Sequence, residues 1–199
     1  MAHGRGHEAF SLIELLIVAA IIIVLASMYS GSNSRSKKAA TMMACQDNLR
    51  KLFISLQIYA RENSGWFPRV HEAASAEEPL DLLIPKYTVD TRIFICPGSG
   101  DPALASGESI RQRRISYAYY SGRRPESASQ VLATDRQVDA RSKAVGQTAF
   151  STTGKAPGNN HGGDGGNLLF TDGEVKSSPA RLTMAIDFPP DVSCLNPRR

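Results

Sequence analysis

Two hydrophobic patterns follow one another along the first third of the chain. Residues 10–29 read FSLIELLIVAAIIIVLASMY, an apolar run of twenty residues that holds one carboxylate, Glu14. A bilayer span needs about 20 such residues. A charge inside a span costs roughly 2.5–3.5 kcal/mol on insertion scales, so it marks a site with a partner. Beyond this run, Cys45, Leu49, Leu52, Leu56 and Tyr59 recur in steps of four, three, four and three, and Phe53 and Ala60 widen the stripe. Asp47, Arg50, Lys51, Gln57 and Arg61 fall mostly elsewhere around the helical wheel, which gives an amphipathic helix with one face to bury. No proline precedes Pro68. The pattern predicts one helix from Phe10 to about Glu62, interrupted or softened at Ser30-Gly31-Ser32-Asn33, where glycine costs about 1 kcal/mol relative to alanine; the alternative is two separate helices. Asn63-Ser64-Gly65 ends it, with Gly65 as the C-terminal cap.

From residue 66 the character changes: proline and glycine recur, and apolar runs shorten. Phe94-Ile95-Cys96, Ser116 to Tyr120, Val131-Leu132-Ala133 and Leu168-Leu169-Phe170 are strand candidates. Pro79 to Tyr87 holds a short helical turn, and 97–114 and 135–166 read as long loops. Asp172-Gly173, between two strand-like pieces, is a hairpin signal. The expected fold class is α+β: a long N-terminal helical stalk, its first half transmembrane, packed on a small C-terminal antiparallel β-sheet head with long loops. The boundaries are 10–30 for the span, 31–65 for the amphipathic stalk and 66–199 for the head.

Composition adds modest constraints. The 199 residues carry a formal charge of +4 and no run of five or six like charges. The basic spots are Arg35-Ser36-Lys37-Lys38, Arg111 to Arg114, Arg123-Arg124 and Arg198-Arg199, which read as solvated surface; nucleic acid is not an expected partner. A secretory signal peptide fits the start less well, because its apolar core is 7–15 residues and does not open on an acid.

Enzyme signatures are missing: the chain has no G-x-S-x-G, no H-E-x-x-H and no phosphate-binding loop. His161 with Asp135 or Asp172 makes an acid–base pair on paper, but no nucleophile converges on it in sequence. Asp164, Asn167, Asp172 and Glu174 offer hard oxygen ligands for Ca²⁺, without the spacing of an EF-hand, so no metal or cofactor is assigned. The three cysteines permit one bridge in an oxidising compartment. Cys96 with Cys194 is one pairing and Cys45 with Cys96 another, and sequence does not choose between them.

The string Ala9-Phe10-Ser11-Leu12-Ile13-Glu14-Leu15-Leu16 resembles the processing site of type IV pilins and type II secretion pseudopilins. The resemblance implies a leader of residues 1–9, removed by a prepilin peptidase between Ala9 and Phe10. Ala9 stands where the family usually has glycine. It also implies N-methylation of Phe10, and Glu14 as the acid that pairs with the amino terminus of a neighbouring subunit. A second resemblance covers the head. Cys45-Gln46-Asp47-Asn48-Leu49, Tyr59, Trp66-Phe67-Pro68, Cys96-Pro97 and Ser116-Tyr117-Ala118-Tyr119 are similar to a bacterial pseudopilin-like family that closes with His, about nine residues, then Asp-Gly. Here ten residues, 162–171, separate His161 from Asp172-Gly173. Together these imply a non-enzymatic subunit of a type II secretion filament. Its partners would be the peptidase, other pseudopilins, an inner-membrane assembly platform and membrane lipid. Its place would be a single pass of the bacterial inner membrane, with the head in the periplasm and a periplasmic filament after assembly. The alternatives are a type IV pilin for adhesion, motility or DNA uptake, and a membrane-anchored binding protein that does not assemble.

Overall fold

A computed structural model describes residues 11–125 and 129–198, without side chains for 28–35. Helix α1 runs Leu12–Glu62 and is unbroken through Ser30-Gly31-Ser32-Asn33. The chain divides into two compact units, Met1–Ala39 and Ala40–Arg199, and α1 crosses that division.

In the first unit, Leu12, Ile13, Leu15, Leu16, Ile17, Val18 and Ile21 to Leu25 are all exposed, by 50% to 81%. Among the described residues no helix is long and apolar enough to cross a membrane. The expected fold class, a long stalk with a transmembrane first half, is corrected on that finding. So is the expected single pass of the inner membrane with a periplasmic head. From Ser36 onward α1 carries Lys37, Lys38, Asp47, Arg50 and Lys51, which are too polar for a span. Its later part is a core element of the second unit: Cys45, Leu49, Leu52, Leu56 and Ala60 are 0–1% exposed. The stripe read from the sequence is the face that this unit buries.

The second unit is built on five antiparallel strands. These are β1 (Tyr117–Ser121), β2 (Val131–Asp135), β3 (Gly166–Phe170), β4 (Val175–Ser178) and β5 (Ser193–Leu195), in the order β4-β3-β2-β1-β5. A short helix α2 (Glu77–Leu80) continues into a 3-10 turn at Asp81–Leu83. Phe94-Ile95-Cys96 is not a strand as expected. Thr91–Phe94 forms a 3-10 turn, begun by Asp90, whose carboxylate accepts from the Arg92 N–H at 3.2 Å. β5 was not legible in advance, since it is three residues between prolines.

β1, β2 and β3 are buried at every position, which is why their sequences are continuous rather than alternating. One face carries Tyr117, Tyr119, Ala133, Leu169 and Leu195 into a cluster with Cys45, Leu49, Leu52 and Leu56 of α1. The other carries Tyr120, Leu168, Phe170 and Cys194 into a cluster with Ala149 and Phe150 from the long loop and Leu182 and Ile186 from the segment after β4. The region 135–166 and the segment between β4 and β5 therefore form a second covering layer, joined by isolated bridges such as Lys143 to Ile186 and Thr148 to Arg181.

The β3–β4 turn docks on α1. Gly173 has φ +89°, and a Cβ there would lie 2.5 Å from Phe53 Cε1. Gly173→Ala meets both the left-handed backbone and the ring, and is expected to lower stability by about 1–3 kcal/mol. Chemical denaturation of the variant against the parent measures this, and an unchanged midpoint would refute the docking.

Candidate functional site

The most densely connected polar centre lies where four segments meet: α1 at Cys45, the turn after Ile95, the end of β2 and the glycine-rich loop before β3. Asp135 is the last residue of β2 and is fully buried. A buried carboxylate is tolerable only when donors surround it. Asn160 Nδ2 donates to its Oδ1 at 2.7 Å. The Asn167 backbone N–H and Nδ2 donate to its Oδ2 at 2.7 and 3.0 Å. His161 Nε2 is 3.2 Å from the same oxygen. Gly158, Gly162 and Gly165, at φ +82°, +63° and +101°, let the loop fold tightly enough to bring Asn160 and His161 there.

Cys45 and Cys96 form a disulfide, with Cα atoms 5.0 Å apart. His161 Nε2 lies 3.4 Å from Cys96 Sγ, and the Gly98 N–H donates to that sulfur, also at 3.4 Å. Gly98 must be glycine, because a Cβ would sit 2.4 Å from the Asn160 carbonyl oxygen and 3.0 Å from His161 Nδ1. The residues after Cys45 seat the helix. Gln46 Nε2 donates to Asn167 Oδ1 at 3.2 Å and Ser177 Oγ at 2.7 Å, and Asn48 Nδ2 donates to the Ile95 carbonyl at 2.8 Å. The Sγ atoms of Cys45 and Cys96, a carboxylate oxygen of Asp135 and a ring nitrogen of His161 all lie within 4.8 Å of one another.

A pairing of Cys96 with Cys194 is not formed. Cys194 joins the cluster on the sheet face away from α1, whereas Cys96 joins the α1 face. Cys194 is a buried free thiol, and burial pushes it up to about 11. The acid that meets His161 is Asp135, not Asp172.

The calcium candidates do not converge. Asn167 is committed to Asp135, Gln46 and Ser177 at one end of β3. Asp172 and Glu174 sit in the hairpin turn past the other end, which begins three residues, about 10 Å, along the strand from Asn167. Glu174 is 2.8 Å from Lys176, and Asp164 is exposed in the glycine loop. Ala9 and Phe10 lie outside the described residues. Glu14 is exposed in the first turn of α1 and has no side-chain hydrogen bond or ion pair among the described residues.

Most of the basic spots are internal partners. Arg113 pairs with Glu108, Arg114 lies 3.5 Å from Asp101, and Arg123 is buried against Gln130 and the Asp187 carbonyl. The sequence marks Trp66 only as part of a motif and does not reveal its packing: Arg69 and Arg124 stack 3.9 and 3.8 Å from its ring centroid. Sequence reasoning also missed the roles of Gln46, Asn160 and Gly98. The signal was present in Cys-Gln-Asp-Asn and Cys-Pro-Gly, as polar or small residues flanking each cysteine.

His161 is not the relay of a catalytic triad. In a triad the nucleophile and the acid meet opposite ring nitrogens. Here Nε2 faces both Cys96 and Asp135, while Nδ1 lies beside Gly98. Comparison with protein families, curated proteins and solved structures finds no match to this chain.

Two outcomes are expected. Protein made under oxidising conditions shows one reactive thiol after denaturation without reductant, and none while native near pH 7.5, because Cys194 is buried and protonated. Thiol counting with a chromogenic disulfide reads this, and three thiols would contradict the bridge. The Asp172 carboxyl is held below the usual carboxylate range, first by the Ser129 hydroxyl and then by the Glu174 N–H. Its contribution is therefore complete above the ordinary value of about 3.9 and is lost as pH falls through the lower folded value. Exposure limits it to under about 1 kcal/mol. Asp172→Asn should be less stable than the parent at pH 7 and equal to it near pH 2; a gap that widens on acidification would reverse the sign.

Proposed function

We propose that this chain is a structural subunit of a pilus-like filament, of the class that includes type II secretion pseudopilins. The observation that supports this most directly is the start of α1. Eleven large apolar side chains between Leu12 and Leu25 are at least half exposed, and the Glu14 carboxylate among them has no ion-pair partner among the described residues. A contiguous apolar surface of this kind marks an interaction site. Its chemistry suits other copies of itself, since apolar helices gathered into a bundle dry one another.

Within such a bundle Glu14 needs a counter-charge. The amino group freed by cleavage between Ala9 and Phe10 has the right sign and lies four residues away in sequence, on each copy. Pairing across copies satisfies both charges. Leaving either one unpaired in a dry bundle costs roughly 3–5 kcal/mol. The second unit, with its bridged and doubly covered sheet, serves in this reading as the part that distinguishes one subunit from another. Catalysis has no part in it.

Glu14→Ala is expected to be processed normally, with Phe10 as the N-methylated first residue by N-terminal sequencing. Its filament yield should fall about tenfold or more. A mature chain that still begins at Met1, or an undiminished filament yield in the variant, would overturn the proposal. Filaments seen outside the cell would direct it to a surface pilus rather than to secretion.

A further inference from the structure

We infer that the Cys45–Cys96–Asp135–His161 cluster is a redox-gated site for a thiophilic divalent metal such as Zn²⁺: a disulfide when oxidised, a four-ligand centre when reduced. This concerns the second unit alone and is independent of the filament reading.

Two thiolates, an imidazole and a carboxylate match a tetrahedral Zn²⁺ centre and suit the hard cations Ca²⁺ and Mg²⁺ poorly. With metal–sulfur bonds of about 2.3 Å and metal–nitrogen or –oxygen bonds of about 2.0–2.1 Å, a tetrahedral shell sets its donors roughly 3.3–3.8 Å apart. His161 Nε2 already stands 3.2 Å from Asp135 Oδ2 and 3.4 Å from Cys96 Sγ, and all four donors lie within 4.8 Å of one another. The nitrogen that faces both the acid and the sulfur is in the wrong place for a catalytic relay, but in the right place for a shared ligand.

Metal ligands are oriented by hydrogen bonds from a second set of residues. Asn160 Nδ2 and the Asn167 N–H hold the carboxylate, and the Gly98 N–H points at Cys96 Sγ. These donors also offset the charge of two thiolates and a carboxylate around a dication. All four ligand residues are less than a tenth exposed, so water competes weakly. The disulfide ties α1 to one segment, whereas the metal would tie it to three.

The conversion balances. A phosphine, with water, breaks the sulfur–sulfur bond: the phosphine is oxidised to its oxide, and the two sulfurs become the thiols of Cys45 and Cys96. Each thiol then loses its proton to solvent as the metal binds. The oxidised protein has no thiolate to offer and binds no metal here.

The experiment uses the full chain carrying Cys194→Ser, which removes the one other thiol. Reduced and oxidised samples are titrated anaerobically with Co²⁺ and then challenged with Zn²⁺. The reduced protein should take up one Co²⁺ per chain, with tetrahedral visible bands and a sulfur-to-cobalt charge-transfer band. Zn²⁺ should bleach both and raise the melting temperature of the reduced form alone. His161→Ala in the same background should weaken binding by about 10-fold or more. If reduction unfolds the chain, Zn²⁺ should refold it, by circular dichroism. Absence of Co²⁺ uptake, bands without sulfur character, equal binding by the oxidised protein, or failure of Zn²⁺ to refold a reduced unfolded chain would each overturn the inference.

Discussion

Burying the Asp135 carboxylate constrains more of this molecule than any other interaction. A carboxyl group shut away from solvent must find hydrogen-bond partners in the protein, and the chain supplies them from places far apart in sequence. Asn160 and His161 come from the glycine-rich loop, and Asn167 comes from the strand that follows it. Gathering them fixes the path of residues 158–167 and presses His161 against Cys96. The disulfide from Cys96 to Cys45 then carries the same constraint into α1. Gln46 repeats it, because its amide donates to the Asn167 side chain that holds Asp135.

A sheet covered on both faces explains much of the remainder. α1 covers one face with a regular stripe, and an irregular layer drawn from 137–190 covers the other with Phe150, Leu182 and Ile186. Two faces make two separate cores, and cysteines on opposite faces cannot meet. Cys194 is left beside Tyr120, whose hydroxyl burial pushes far above its usual range. The buried face of α1 is therefore part of the second unit's architecture, not a support on which that unit stands.

The first unit poses a different physical problem. Among the described residues, the apolar side chains between Leu12 and Leu25 have no cover and Glu14 has no counter-charge. Both deficits have the same remedy under the filament proposal, which is why one reading accounts for the apolar run and the acid together. The metal inference draws on other residues, so either can fail without the other.

The amphipathic stripe was legible in advance because helical periodicity is a local property: Cys45, Leu49, Leu52 and Leu56 declare a buried face wherever that face ends up. So were the hairpin turn at Asp172-Gly173 and three of the five strands. The membrane span was misjudged because hydropathy alone was read as a location. The strand at Phe94–Cys96 was misread because Asp90 caps a 3-10 turn there, a side-chain event that composition does not reveal. The bridge partner of Cys96, the choice of Asp135 over Asp172 for His161, and the scattering of the four oxygen ligands were settled only by tertiary structure. Each depends on which face of a strand a residue occupies and which loop folds over it. Periodicity fixes the faces of an element, but only packing decides what each face meets.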